Sequence, residues 1–191
     1  FVSEELMLAA QEQQQEQQLE NRLNGRPLAV VGARDYLLEK IRTRQANVAI
    51  IGLGYVGLPL AMAFAAAGFP ITGIDVDKKR VDMLNEGRSH VSDVPSEQIA
   101  RFRANAQSPE AVRGSFRATT DYDALYDMDA VIICVPTPLS RTKDPDMSYI
   151  ITAADEIARQ LHHGMLIVLE STTYPGTTEE IVLPRLQRVK V

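Results

Sequence analysis

The chain has one cysteine in 191 residues, no tryptophan and three histidines, and no apolar run reaches about 18 residues, the length a membrane-spanning helix needs. The single cysteine excludes an internal disulfide framework and a cysteine-based metal site, and it suits a reducing cytoplasm. His90, His162 and His163 show no metal-ligand spacing. His162 and His163 stand before Gly164 at a predicted helix end, where partial positive charge suits the dipole. The most apolar stretch, residues 58–69, is short and interrupted by glycine, so no membrane span is predicted. Positive charge is also scarce. With 20 basic against 25 acidic residues the net charge is -5, and no dense basic stripe supports generic nucleic-acid binding. The N-terminus lacks the basic region and long apolar region of a secretory signal and does not start with methionine. The chain therefore reads as a piece of a longer protein, large enough for one domain plus an arm.

Residues 1–46 form that arm. QEQQQEQQ near its start is polar and low in complexity, so it predicts disorder or a lone helix, with a partner-binding helix as the alternative. Tyr36, Leu37, Leu38 and Ile41 mark a short amphipathic helix at about 33–44 that packs on the edge of the domain.

From Asn47 onward, short apolar runs alternate with helical patterns. Strands are predicted at 47–51, 70–75, 116–119, 129–135 and 165–170. Helices are predicted at 55–67, 77–86, 96–105, 147–161 and 176–188. Near-continuous apolar strands such as AVIIC and MLIVL belong to a parallel sheet covered on both faces. The predicted fold is thus α/β, a Rossmann-like doubly wound parallel sheet over residues 47–191, preceded by a helical or disordered N-terminal arm. Segment 87–115 is longer and more polar than an ordinary crossover and should carry a short helix after Pro95.

The richest stretch is residues 47–75, NVAIIGLGYVGLPLAMAFAAAGFPITGID. It holds an apolar run, Gly52-x-Gly54-x-x-Gly57, an Ala-rich helical run, a second apolar run and Asp75. Binding a dinucleotide through backbone amides requires this order. Gly52 permits the strand-to-helix turn, Gly54 lets a pyrophosphate approach the main chain, and Gly57 lets helix and strand pack closely. Helix N-terminal N–H groups and the dipole then favour the anion. Asp75 is placed to accept hydrogen bonds from ribose hydroxyls and favours NAD over NADP, although Lys78, Lys79 and Arg80 keep NADP open. Lys78 and Lys79 read best as a solvated first helical turn, whereas Arg80, one turn in, should lie along the adenosine.

Two further strand ends reach the same sheet edge, where doubly wound folds bind ligands. AVIICVPTPLS places Val135, Pro136 and Thr137 there, the Thr137 hydroxyl able to meet a cofactor; a rigid turn is the plainer account. IVLESTTYPGTTEE places Ser171 and Thr172 at the crevice, while Thr177 and Thr178 suit turn and cap chemistry. Cys134 lies in an apolar strand with no base beside it in sequence, so a buried, inert thiol is predicted rather than a nucleophile. Glu170 reads as a structural acid at a strand end.

VAIIGLGYVGLPLA, GIDVDKKRVDMLNEG, AVIICVPTPL, PDMSYI and LESTTYPGTTEEIVLP, in this order, resemble the N-terminal NAD-binding domain of the UDP-glucose/GDP-mannose dehydrogenase family over about residues 47–188. LEKIRTRQANVAIIGLGYVGLPLA and LESTTYPGTT look most like the bacterial UDP-N-acetylglucosamine 6-dehydrogenase branch. The resemblance implies a cytoplasmic, homo-oligomeric enzyme that oxidises the C6 alcohol of a nucleotide sugar to a carboxylate. Two NAD are reduced through a cysteine-linked intermediate, and the product feeds surface-polysaccharide synthesis. Matched residue by residue, Gly52, Gly54, Tyr55, Val56 and Gly57 correspond to the phosphate turn. Asp75 and Arg80 match the adenosine-ribose side, Pro136 and Thr137 the loop along the cofactor, and Thr172 the threonine that positions water or substrate. Cys134 does not match the family nucleophile, which is expected after Val191 together with the sugar-binding part. Two alternatives remain: another β-hydroxyacid-type dehydrogenase, or a non-catalytic NAD-sensing module whose arm binds a partner.

Overall fold

The computed structural model describes residues 32–108, 113–138 and 145–188. The Gln-rich segment lies outside the described residues. The chain divides into two units, Phe1–Leu38 and Glu39–Val191. The first is described only from Gly32, through the opening turns of α1 (Ala33–Arg42). Within the second, Ile41 packs against the hydrophobic core. Nearby, Lys40 Nζ reaches Asp129 Oδ1 at 2.6 Å, and Asp129 also accepts a hydrogen bond from the Asn47 amide.

Five parallel strands come next, all at predicted places: β1 (Val48–Ile51), β2 (Pro70–Ile74), β3 (Ser115–Thr119), β4 (Ala130–Ile133) and β5 (Leu166–Leu169). Their order is β3-β2-β1-β4-β5, so the chain winds outward from β1 in both directions. Val48 is in register with Ile71 of β2 and with Ala130 of β4. Each strand sends alternate side chains to opposite faces, and here both faces are apolar. Val48, Ile50, Ile71, Phe116 and Ile132 enter one core, whereas Ala49, Ile51, Ile74, Val131 and Ile133 enter another. That two-sided burial accounts for the continuous apolar runs.

The first core is covered by α2 (Gly57–Ala66), α3 (Lys78–Asn85) and α4 (Ser96–Gln107). α2 is apolar along its whole length, GLPLAMAFAA, and buries Leu58, Ala61, Met62 and Ala65 along one face. Its alanines allow close approach to the sheet, and Gly68, at φ 98°, ends it in the left-handed conformation that favours glycine. α3 starts at Asp77, whose carboxylate accepts hydrogen bonds from the Lys79 and Arg80 amides. The second core is covered by a short 3-10 helix, Tyr122–Asp127, and by α5 (Ser148–Gln160), which buries Ile150, Ala153, Ala154, Ile157 and Ala158 at helical spacing.

The structure differs from the sequence reading at the last helix. Residues 176–188 do not form one α-helix: a π-helical turn, Thr178–Val182, precedes a short α6 (Leu183–Leu186). Pro184 lacks the N–H that a regular ladder would use, which favours such an adjustment. The predicted helix after Pro95 is present and is 12 residues long.

Backbone packs closely against two glycines of the turn after β1. A Cβ added to Gly57 would lie 1.8 Å from the Gly52 carbonyl oxygen, and one added to Gly52, at φ +93°, would lie 2.6 Å from the Cys134 carbonyl oxygen. Both obstacles are backbone atoms that cannot rotate away. Gly57→Ala should therefore destabilise the fold by about 3 kcal/mol or more, near the upper end of single-substitution effects. Urea unfolding checks this, and a loss under about 1 kcal/mol would show that the turn can relax.

Candidate functional site

The carboxyl ends of β1, β2, β4 and β5 open into one cleft of about 850 Å³. Of the predicted site residues, Gly52, Gly54, Tyr55, Val56, Asp75, Arg80, Val135, Pro136, Thr137, Ser171 and Thr172 all line it. Gly57 does not; it is buried behind the turn, where its missing side chain makes room for the Gly52 carbonyl.

The floor is the turn between β1 and α2. Gly52 continues the ladder by donating to Ile74 O at 2.8 Å, then turns with positive φ. Leu53 is fully buried, and a Cβ on Gly73 would meet its methyl groups at 2.7 and 2.8 Å. Gly73 of β2 thus makes space for the turn, a role the sequence reading did not assign. Gly54 differs from its neighbours because a Cβ there would meet no atom within 4 Å. No protein packing demands glycine at that position; what the missing side chain leaves clear is the approach to the main chain. Tyr55 and Val56 are exposed, Val56 at the N-cap offers no side-chain acceptor, and the first turn of α2 has no acid. The α2 N-terminus therefore carries the partial positive charge of its N–H groups with no anionic side chain to offset it.

Asp75 is 4% exposed and stands just past β2. Its Oδ2 accepts from the Leu53 amide at 2.8 Å and from Arg80 at 2.7 Å, and its Oδ1 accepts from the Asp77 amide at 2.9 Å. A carboxylate so held is fixed in place and oriented, and Oδ1 retains acceptor capacity. Arg80, expected to lie along an adenosine, is at the cleft wall and pairs with Asp75. Lys78 is solvated as predicted, pairing with Asp82 one turn on.

The opposite wall comes from the loops after β4 and β5, which are tied together. Ser171 donates its hydroxyl hydrogen to Val135 O at 2.8 Å, and Thr137 donates its own to Thr172 O at 2.7 Å. The Thr137 proton is thus engaged with the neighbouring loop, leaving that oxygen only as an acceptor toward the cleft. Thr177 is buried and donates to Tyr174 O at 2.8 Å, the turn chemistry expected of it.

Sequence reasoning missed several lining residues: His90, Tyr122, Tyr149 and Thr152. The last two stand on α5 three residues apart, on the same face of the helix. Burial, then the nearby Glu156 and Asp75 carboxylates, raise the Tyr122 pKa above 10.0. Only the 3.6-residue period of 147–161 hinted at the α5 pair, and nothing local marked His90 or Tyr122. Among the described residues no cluster of histidine, cysteine or acidic groups could hold a metal, and no helix is long and apolar enough to cross a membrane.

Cys134 is 8% exposed, just past the end of β4. Burial first, and then the charge of Glu170, push its pKa up to about 11. Sequence proximity did not reveal that Glu170 neighbour, which makes the thiolate still less accessible. The fold holds this proton to higher pH than the unfolded chain, whose thiol titrates near 9.0. Stability should therefore be intact below about pH 9 and fall as pH rises toward 11, by up to roughly 3 kcal/mol. Urea unfolding at several alkaline pH values, for the chain and for Cys134→Ala, checks the sign. Equal pH slopes in both proteins, or rapid alkylation of the native thiol at neutral pH, would contradict it.

A cleft floored by a glycine turn and an uncapped helix, with a fixed acid at the next strand end, fits a dinucleotide. Comparison with known proteins agrees. Residues 46–191 match the model of the UDP-glucose/GDP-mannose dehydrogenase family, NAD binding domain. UDP-N-acetyl-D-mannosamine dehydrogenase of Salmonella typhimurium is 39% identical over 136 residues, 71% of this chain and 30% of that protein. UDP-N-acetyl-D-glucosamine 6-dehydrogenase of Salmonella typhi is 35% identical over 145 residues, 76% of this chain and 31% of that protein. The solved GDP-mannose dehydrogenase of Pseudomonas aeruginosa superposes with a TM-score of 0.66 at 30% identity, covering 74% of this chain and 32% of its own. The chain thus spans about 30% of the length of the curated relatives it matches. By its glycine turn, its sheet order and these similarities, the chain belongs to the UDP-glucose/GDP-mannose dehydrogenase family and comprises its NAD-binding domain.

Proposed function

We propose that this chain is the cofactor-binding part of a cytoplasmic, homo-oligomeric nucleotide-sugar 6-dehydrogenase. Its substrate is a UDP-N-acetylhexosamine, oxidised at C6 from alcohol to carboxylate for surface-polysaccharide synthesis. UDP-N-acetylglucosamine is the substrate that the sequence motifs favour. The relatives with 39% and 35% identity both act on UDP-linked N-acetylhexosamines, which supports that class of sugar.

One observation carries the cofactor assignment: Gly54 faces open space at the cleft floor, beside the helix N-terminus and next to Leu53, whose amide the fixed Asp75 carboxylate holds. In this reading the backbone of Gly52, Gly54, Tyr55 and Val56 receives the pyrophosphate, with Gly57 securing the turn behind it. Asp75 Oδ1 accepts from the adenosine ribose, and Arg80 holds Asp75 in place. Val135, Pro136, Thr137 and Ser171 form the wall along the cofactor, and Thr172 positions water or substrate. NAD supplies the hydride acceptor when bound. The chain's own residues orient it and fix its charge environment.

Titration calorimetry of the 191-residue chain should show NAD bound more tightly than NADP, because a 2′-phosphate would meet Asp75. Gly54→Ala should weaken NAD by about tenfold or more, corresponding to about 1.4 kcal/mol, with the melting temperature nearly unchanged because no protein atom opposes the added methyl. Unaltered NAD affinity in that variant would overturn the assigned pyrophosphate site. The chain should also form no NADH from NAD and a UDP-sugar, since its single cysteine is a buried thiol with raised pKa. Sugar-dependent absorbance growth at 340 nm (an order-of-unity turnover per second or faster, about the low end for enzymes) would refute that division of labour.

A further inference from the structure

We infer that His90 is a positioning residue for the phosphate-binding turn, an inference that rests on the cofactor reading above. His90 lies in the long polar connection between α3 and α4, well away in sequence from the glycine motif. Its ring nevertheless lines the cleft, with Nε2 2.8 Å from the Leu53 carbonyl oxygen. A carbonyl can only accept, so Nε2 is the donor. The other ring nitrogen, Nδ1, is buried without a partner.

Leu53 is therefore gripped at both ends. Its N–H is held by Asp75 Oδ2 at 2.8 Å and its C=O by His90, while its side chain is fully buried in the space that Gly73 leaves. The peptide linking Leu53 to Gly54 is planar and trans, so the Gly54 N–H lies anti to the Leu53 carbonyl. Holding that carbonyl fixes the direction of the Gly54 N–H, at the position where the main chain is open to a ligand. Gly52, at φ 93°, has no Cβ to stiffen the turn as another residue would. Asp75 and His90 restrain it. The buried, unpaired Nδ1 points the same way, because an apolar side chain would fill the space without leaving a polar atom unsatisfied. The donor at Nε2 is what distinguishes histidine here.

The test is binding by the 191-residue chain and its variants to NAD, ADP and adenosine, by calorimetry and by ligand-observed NMR for the weak nucleoside. Gln places its amide nitrogen where Nε2 stands, whereas Asn places it nearer Nδ1. His90→Gln should retain NAD and ADP affinity within about threefold. His90→Asn and His90→Leu should lose about tenfold on both, consistent with one hydrogen bond that positions a charged contact. Adenosine, which has no phosphate, should bind all folded variants alike. The inference is overturned if Asn serves as well as Gln, a comparison that stands even if the leucine variant does not fold. It is also overturned if adenosine affinity falls in step with that of NAD, which would mean general damage to the cleft. Failure of the unsubstituted chain to bind NAD would instead remove the cofactor reading, and this inference with it.

Discussion

The backbone contact among Gly52, Gly57 and Cys134 governs how this domain is assembled. The end of β1, the start of α2 and the residue after β4 meet so closely that a methyl group on either glycine would overlap a carbonyl oxygen. Hydrogen bonds from Gly52 to Ile74 and from Cys134 to Ile51 extend the sheet ladder into this crossing. Because the strand order reverses at β1, the crevice opens there, between β2 on one side and β4 on the other. Without the close crossing, α2 would stand off from the sheet and its N-terminus would not floor the cleft.

Around that crossing, polar groups do the positioning that apolar packing cannot. Asp75 is nearly buried, yet it is satisfied by two amides and a guanidinium, which offsets the cost of removing its charge from water. On the other wall Ser171 and Thr137 join the loops after β4 and β5, so two crossovers remote in sequence behave as one surface. The side facing a ligand is thus supported from behind by bonds made within the protein. This arrangement suits a site in which donors must be aimed before the ligand arrives.

Much of this was legible in the sequence. All five strands, and the helices from α2 to α5, lie where apolar runs and helical spacing placed them, because a doubly covered parallel sheet leaves so plain a pattern. The glycine turn, Asp75 and the residues after β4 and β5 were found from strand ends alone, since in this architecture one edge of the sheet collects them. The final helix was misjudged because period alone does not distinguish a π-turn from an α-turn around Pro184. His90 and Tyr122 were invisible because each reaches the cleft from a connection whose path depends on long-range packing. The neighbour of Cys134 was missed for the same reason: Glu170 is 36 residues away in sequence and adjacent only because β4 pairs with β5.

By itself, the sequence determined the layer architecture, the glycine turn and the acid that ends the second strand, because these depend on local backbone freedom and on the apolar period of each segment. Only the tertiary structure decided what those parts are bonded to. It gave Arg80 to Asp75, spent the Thr137 proton on Thr172, brought His90 to the Leu53 carbonyl and made Cys134 a thiol of raised pKa. Apart from the Asp75–Arg80 pair, which is local, such partnerships are set by strand order and by the paths of long connections, and no spacing along the chain encodes them.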